Sequence, residues 1–251
     1  MGLVGGSVTA APRQALRMTG LLASVISPDE ALLSLDAGAD IIDCKNPALG
    51  ALGALTVPVI RDIVGAVRGR VPVSATVGDL QTDAAALLPA VRRIGATGVD
   101  FVKLGFLRST GISDVIEALA ALTPSHPLIA VLFADRCPES DVIPELAAAG
   151  FAGIMLDTAI KDGATLLDLL HPDVLRDFVQ QAHRHGLLCG LAGSLRANQI
   201  ATLLPLQPDY LGFRGALCEH GRTSRLSPTA CARIRAAIPT KRASEPGSEA
   251  A

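Results

Sequence analysis

The sequence predicts a single-domain α/β protein built as a (β/α)8 barrel, the TIM-barrel architecture. Eight short apolar runs, each followed by a helical pattern, occupy about 220 of the 251 residues. The runs are continuous stretches of Val, Ile, Leu and Ala, which is typical of parallel strands buried on both faces. A doubly wound open sheet is the structural alternative, but the chain has no GxGxxG turn of the dinucleotide-binding kind. Closure into a barrel is therefore predicted.

The predicted elements alternate with short connections. The first strand (21–26) precedes Ser27-Pro28-Asp29-Glu30, a typical helix start, and Gly186 ends the helix 172–185. A segment rich in Gly, Ala and Leu (46–56) is predicted to be the loop after the second strand. The other strands are predicted at 39–45, 72–77, 100–105, 127–133, 152–157, 187–191 and 209–213. The other helices are predicted at 28–37, 58–69, 82–96, 112–122, 138–149, 164–170, 195–204 and 228–237.

The chain ends differ from the barrel in composition. Residues 1–17 have no periodicity and are predicted to be a flexible leader, 18–238 form the barrel domain, and the polar tail 239–251 is predicted to be disordered. Residues 18–26 resemble the apolar part of a signal peptide, but no small-residue cleavage site follows them. We therefore predict a first strand there, a cytoplasmic protein and no membrane span.

Composition restricts the partners. The formal net charge is −2, and one Tyr, no Trp and scattered arginines provide neither a basic stripe nor stacking aromatics, so nucleic acid is not predicted. The five cysteines have no CxxC spacing, which indicates a reducing compartment and no structural zinc. Aspartates at a barrel mouth could hold Mg²⁺, but neighbouring lysines would neutralise them, so no metal is predicted.

Lysine is rare and unevenly placed. The chain has eighteen arginines and four lysines, and three of these, Lys45, Lys103 and Lys161, lie at or just after the ends of apolar strands. Lys241 belongs to the tail. A desolvated lysine can lose its proton and attack a carbonyl, whereas arginine cannot at ordinary pH. Imine chemistry on a carbonyl substrate is therefore the first hypothesis.

Carboxylates accompany these lysines. Side chains alternate across a strand, so Asp43 and Lys45 point to the same side. Because catalytic groups of barrels converge from the carboxyl ends of several strands, we expect these residues to meet at one mouth. The full set of predicted site residues at strand ends is Asp43, Lys45, Asp79, Lys103, Asp135, Asp157 and Lys161. Asp79 and Asp135 are equally well explained as caps of the following loops.

Two small-residue turns indicate a phosphate site. Gly193 and Ser194 follow the seventh strand, and Arg214 and Gly215 follow the eighth. Barrels often bind phosphate at these two loops through free backbone N–H groups. Arg214 is the predicted cation at this site, whereas Arg222 and Arg225 are predicted on a solvated loop.

Several motifs together resemble the (5-formylfuran-3-yl)methyl phosphate synthases of methanofuran biosynthesis. The resemblance runs from about residue 20 to residue 237. The motifs that carry it are Ile42-Asp43-Cys44-Lys45-Asn46-Pro47, Gly50-Ala51-Leu52-Gly53, Val73-Ser74-Ala75-Thr76-Val77-Gly78-Asp79, Asp100-Phe101-Val102-Lys103-Leu104-Gly105, Met155-Leu156-Asp157-Thr158-Ala159-Ile160-Lys161-Asp162-Gly163, Gly190-Leu191-Ala192-Gly193-Ser194-Leu195 and Gly212-Phe213-Arg214-Gly215-Ala216-Leu217-Cys218.

The resemblance implies a cofactor-free lyase that condenses two glyceraldehyde 3-phosphate molecules into a phosphorylated furan aldehyde, losing phosphate and water. It implies that Lys45 forms the Schiff base and that Lys103 accepts a proton. Asp43, Asp157 and Lys161 match supporting positions of the family's active site.

Three other functions fit parts of the pattern. A class I aldolase shares the barrel, the lysines and the phosphate site, and a decarboxylase of the orotidine-phosphate type shares the Asp43-x-Lys45 spacing. A catalytically silent phosphosugar-binding protein is the non-enzymatic alternative, although three buried lysines are costly for that purpose. We expect a homo-oligomer in each case, because much of the helix surface is apolar.

Overall fold

The computed structural model describes residues 18–106, 111–136 and 141–239. Eight parallel strands follow one another around a closed barrel, each paired with its neighbours in sequence, and the last pairs with the first. The predicted (β/α)8 barrel is confirmed. The predicted leader, and all but the first residue of the predicted tail, lie outside the described residues.

Strand and helix bounds agree with the predicted pattern to within a few residues in most elements. The strands are β1 (Gly20–Val25), β2 (Ile41–Cys44), β3 (Val73–Thr76), β4 (Phe101–Phe106), β5 (Leu128–Phe133), β6 (Gly153–Asp157), β7 (Leu188–Leu191) and β8 (Tyr210–Phe213). The α-helices are α1 (Pro28–Asp36), α2 (Val57–Val67), α3 (Ala84–Gly95), α4 (Ile112–Ala120), α5 (Val142–Ala148), α6 (Leu166–Leu169), α7 (Pro172–Arg184), α8 (Ile200–Leu203) and α9 (Pro228–Ala237).

Local capping explains where several helices begin. Ser27 accepts a hydrogen bond from the N–H of Glu30 at the start of α1, and Asp83 and Ser227 accept similar bonds at the starts of α3 and α9. Each of these side chains satisfies an N–H group that has no partner within its own helix.

The predicted helix 195–204 is wrong in its extent. A 3₁₀ turn at Ala197–Gln199, the short helix α8 and a second 3₁₀ turn at Leu204–Leu206 replace it. Pro205 has no N–H to donate to the carbonyl of residue 201, so the α-helical ladder ends there. At the other end, Arg196 has extended backbone angles (φ −115°, ψ 157°), so the first helical turn begins only after it.

Strand alternation divides the core into two layers. Outward residues such as Ile42, Cys44 and Val102 belong to the larger apolar cluster, which also contains the buried faces of the helices. Inward residues such as Leu22, Ile129 and Met155 form a smaller apolar cluster inside the barrel. Asp43 and Lys103 share this inward side and are almost completely buried. The barrel interior is thus apolar except for a charged layer.

Three aspartates brace the amino ends of the strands. Asp40 accepts the N–H of Leu21 at 2.7 Å, Asp100 accepts that of Val73 at 2.8 Å, and Asp209 accepts that of Cys189 at 2.7 Å. Each aspartate immediately precedes an even-numbered strand and binds the odd-numbered strand before it. These bonds hold neighbouring strands in register at the amino-end face of the barrel.

Glycines inside the barrel make room for large side chains, and Gly190 is the tightest case that involves a rigid ring. A Cβ atom on Gly190 would lie 2.2 Å from Cε2 of Tyr210, whose ring is buried. We expect Gly190→Ala to lower the free energy of unfolding by about 1–3 kcal/mol, because overpacking a rigid core forces neighbouring groups apart.

Urea denaturation of both proteins would measure this loss. Gly65→Ala is the matched control, since a Cβ there has no heavy atom within 4 Å and Gly65 lies on the exposed side of α2. The control is expected to gain up to about 1 kcal/mol from helix propensity. Equal stability of Gly190→Ala and the parent would contradict the packing argument.

Candidate active site

A buried ion pair occupies the centre of the barrel. Lys103 Nζ on β4 lies 3.0 Å from Oδ1 of Asp43 on β2, and both side chains are at most 1% exposed. The hydroxyl of Ser74 donates to Asp43 Oδ1 at 2.7 Å, and that of Ser24 donates to Oδ2 at 3.0 Å. Three neighbouring strands therefore converge on one carboxylate, which is the satisfaction that a buried charge requires.

A second cluster lies nearer the carboxyl ends of the strands. Asp157, the last residue of β6, has Lys45 Nζ at 3.6 Å from Oδ2 and Lys161 Nζ at 2.7 Å from Oδ1. Lys161 also donates to the hydroxyl of Thr158 at 2.8 Å, and the N–H of Thr158 donates to Asp157 Oδ1. The structure thus brings the five predicted catalytic residues into one pair, Asp43 with Lys103, and one triad, Asp157 with Lys45 and Lys161.

The charges of these groups are shifted by burial and by one another. Burial opposes ionisation of Asp43 and Asp157, but neighbouring lysine ammonium groups outweigh it and hold the pKa of each carboxyl below its ordinary value. Burial lowers the pKa values of Lys103 and Lys161, against the opposing pull of their carboxylate partners. Lys103 and Lys161 therefore release a proton more readily than a solvated lysine does.

A cavity of ≈ 500 Å³ opens at the carboxyl ends of the strands. Lys45, Asp157 and Lys161 line it, together with the loops after β7 and β8. Lys103 instead lines a second cavity of ≈ 580 Å³ at the amino ends of the strands. Leu52 from the loop after β2 packs onto Gly105, one inward position beyond Lys103, so it lies on the mouth side of Lys103.

The loops after β7 and β8 have the geometry of an anion cradle. Gly193 and Ser194 have φ angles of 106° and 50°, and in the described part of the chain their N–H groups have no hydrogen-bond acceptor. Both residues and Gly215 line the cavity. Successive free N–H groups in such a turn attract anions. The position of these three predicted phosphate-site residues therefore suits a phosphate.

Arg214 has a different set of partners from the one predicted. Its guanidinium is buried and pairs with Glu30, and it also donates to the carbonyls of Ser24, Arg222 and Ser224. These bonds use all the N–H donors of the side chain. Arg214 borders the cavity but has no donor left for a phosphate, so its predicted role as the phosphate cation is corrected to that of a loop anchor.

Arg222 is a cavity-lining cation that sequence reasoning missed. It was predicted on a solvated loop, yet its side chain lines the cavity and Nη2 donates to the carbonyl of Gly50 at 2.9 Å. Arg225, by contrast, is 80% exposed as predicted. Nothing in local sequence separates the two arginines, because the loop's orientation depends on its contacts with Arg214.

The remaining predicted aspartates hold loops. Asp79 accepts the N–H of Leu52 at 2.8 Å, and Asp135 accepts the N–H groups of Ala159 and Ile160 at 2.8 and 2.6 Å. Neither lines the mouth cavity. Asp135 thereby positions the segment that carries Lys161. These contacts agree with the alternative that Asp79 and Asp135 cap loops, and they do not place either aspartate against a substrate.

In the described residues, no group of three or more His, Cys, Asp and Glu side chains has the arrangement of a metal site. In the same ranges, no helix combines the length and apolar character needed to cross a membrane.

A closed (β/α)8 barrel with buried lysines and carboxylates at its carboxyl-end mouth has the arrangement of a barrel enzyme. The family model of the 4-HFC-P synthases matches residues 21–235. The chain belongs to this family, as the sequence motifs had indicated.

Individual relatives are similar in sequence to this chain over most of their length. A Methylorubrum extorquens protein, named provisionally as (5-formylfuran-3-yl)methyl phosphate synthase, is 45% identical over 223 residues, covering 89% of this chain and 92% of that protein. The synthase of that name from Methanopyrus kandleri is 38% identical over 217 residues, covering 82% and 92%. The one from Methanocaldococcus jannaschii is 36% identical over 213 residues, covering 80% and 91%.

Solved structures of low identity show the fold alone. Phosphoribosyl anthranilate isomerase from Thermus thermophilus has a TM-score of 0.62 at 16% identity, covering 87% of this chain and 98% of that one. Thiamine phosphate pyrophosphorylase from Pyrococcus furiosus has a TM-score of 0.58 at 12% identity, covering 88% and 96%.

Proposed function

We propose that the protein is a lyase that condenses two molecules of glyceraldehyde 3-phosphate into (5-formylfuran-3-yl)methyl phosphate, with loss of phosphate and water, as a step of methanofuran-type cofactor biosynthesis. The observation that carries the proposal is the cluster of Lys45, Asp157 and Lys161 in a cavity that also contains an anion cradle. Family membership supports the product.

The first chemical step belongs to Lys45. Its amine attacks the aldehyde carbon of one triose phosphate, and the carbinolamine loses water to form an imine. Asp157, 3.6 Å from Lys45 Nζ, accepts the proton that the attacking amine loses and returns one to the departing hydroxyl. Lys161 holds Asp157 in place through its 2.7 Å bond.

Carbon–carbon bond formation requires a base. The imine acidifies the adjacent carbon, and Lys103 in its neutral form, which burial favours by lowering its pKa against the opposing pull of Asp43, takes the proton to leave an enamine. Loss of phosphate from this enamine leaves an enol, whose terminal carbon attacks the middle carbon of the second triose phosphate after that molecule has isomerised to its ketone form. Ring closure with loss of two water molecules forms the furan, and hydrolysis of the imine releases the aldehyde product and returns Lys45 to its amine form.

Product analysis tests the proposal against its nearest rival. Incubation with glyceraldehyde 3-phosphate alone is expected to release inorganic phosphate together with a conjugated product that absorbs in the ultraviolet. A class I aldolase would return an open-chain sugar phosphate without phosphate release, and that outcome would replace the synthase with the aldolase. Absence of any turnover, with the substrate bound, would favour a silent binding protein.

The pH dependence has a definite sign. Asp43 favours the ammonium form of Lys103, so Asp43→Asn should lower the pKa of Lys103 further. Because the base acts in its neutral form, kcat/KM rises with pH through this pKa, and the acid limb of the profile should move to lower pH in the variant.

The pH profile of kcat/KM, with Asp135→Asn as the control, measures the shift. Asp135 contacts backbone N–H groups of the loop after β6 and is no partner of Lys103, so its variant should leave the position of the acid limb unchanged. An acid limb that stays in place or moves to higher pH in Asp43→Asn would remove Lys103 as the base.

A further inference from the structure

The loop between β8 and α9 is held in a defined position. An isolated bridge pairs Cys218 with Leu226 across its base. Arg214 donates from Nε to the carbonyl of Arg222 at 2.9 Å and from Nη2 to that of Ser224 at 2.7 Å. Since Arg214 is buried and paired with Glu30, the backbone of Arg222 is anchored to the barrel wall.

The anchored backbone directs the Arg222 side chain into the mouth. Nη2 donates to the carbonyl of Gly50 in the loop after β2, so the guanidinium connects the loops after β8 and β2. In the described part of the chain its other N–H groups have no acceptor, and the side chain lines the cavity. Arg222 therefore has several donors available for a ligand.

Lys161 and Arg222 line the same cavity. The charge of Arg222 contributes to lowering the pKa of Lys161, and Asp157 acts on both cations. Two of the three N–H donors of Lys161 bind Asp157 and Thr158, which leaves one for the cavity. Lys45 and Lys161 contact Asp157, and Arg222 interacts with the charges of Asp157 and Asp79, so three cations meet two carboxylates and leave an excess of positive charge.

We propose that Arg222 and Lys161 form a second phosphate site, distinct from the backbone cradle at Gly193 and Ser194, and that it binds the phosphate group of the second triose phosphate. This inference rests on the proposed function, in which two phosphorylated substrates must occupy one cavity together. The cradle holds one anion through backbone N–H groups. A guanidinium fork with a neighbouring ammonium is a side-chain site for the other.

The kinetic test uses Arg222→Gln, with Arg225→Gln on the same loop as the matched control. Borohydride trapping of the first substrate on Lys45 should be retained in Arg222→Gln to within about twofold. The substrate concentration needed for product formation should rise about tenfold to a hundredfold, as expected for loss of a charge-assisted phosphate contact. For Arg222→Lys, the substrate concentration needed for product formation should lie between those of the parent and of Arg222→Gln, because lysine keeps the charge but lacks the planar guanidinium.

Binding of inorganic phosphate, followed by isothermal titration calorimetry, provides a readout independent of turnover. The parent and Arg225→Gln should bind two phosphates per chain, and Arg222→Gln one. Unchanged stoichiometry, or loss of the trapped adduct in Arg222→Gln, would overturn the second site. Failure of the proposed function can be told apart from failure of the second site. In the first case the parent itself would form no adduct or release no phosphate. The number of phosphates bound by the parent and by Arg222→Gln would still show whether the second site exists.

Discussion

Lys45→Arg is expected to reduce turnover of glyceraldehyde 3-phosphate by roughly 10⁴-fold or more, the scale of loss for a covalent nucleophile. Arginine keeps a positive charge beside Asp157, which lies 3.6 Å from Lys45 Nζ, so the electrostatic environment of the carboxylate is preserved. A guanidinium cannot form the imine at ordinary pH. The loss would therefore be chemical and would leave the fold intact.

Intact-mass spectrometry after borohydride reduction, followed by peptide mapping, measures the adduct directly. The parent should carry one triose-phosphate adduct on Lys45, and the variant none. Lys241→Arg is the control, since Lys241 is the one lysine outside the predicted site and lies beyond the described residues. An adduct that persists in Lys45→Arg and maps to Lys103 would identify Lys103 as the nucleophile. No adduct in any protein would favour a decarboxylase of the orotidine-phosphate type, which needs no imine.

Glu30→Gln is expected to lower the free energy of unfolding by about 3–5 kcal/mol, because it leaves the buried guanidinium of Arg214 without a counter-charge. Glu30 and Arg214 are 8% and 7% exposed. Glu30 Oε2 also accepts the N–H of Ile26 at 3.0 Å, so the carboxylate joins α1, the end of β1 and the β8 loop. The Glu30 side chain therefore connects three segments at the barrel mouth.

Urea denaturation measures this loss, and Glu219→Gln is the matched control. Glu219 pairs with Arg225 on the solvent-exposed part of the same loop, so its variant should keep the midpoint of the parent. Phosphate binding gives a second readout, since a loosened loop would carry Arg222 away from the cavity. A Glu30→Gln protein as stable as the parent would show that the Arg214 charge is compensated in another way.

The sequence by itself determined the barrel and the side of the strands on which most of the candidate site residues lie. The repeated order of apolar runs and helices predicted the eight strands, since both periodicities are local properties of the chain. Strand alternation placed Asp43 and Lys45 on one side, and closure of a parallel barrel brings Lys103 and Asp157 to the same interior. The family motifs indicated the same residues, and in the structure Asp43 pairs with Lys103 and Asp157 with Lys45.

Only the tertiary structure showed which arginine at the cavity has donors free for a ligand, and that Asp79 and Asp135 bind backbone N–H groups. Arg214 and Arg222 differ by eight positions, and their roles depend on Glu30, which is 184 residues away from Arg214 in sequence. Asp79 and Asp135 likewise bind backbone N–H groups of loops that follow other strands. Strand and helix periodicity are local properties that can be recognised in the sequence. The partners of a loop side chain depend on packing between segments far apart in sequence, and residue spacing within one segment does not predict them.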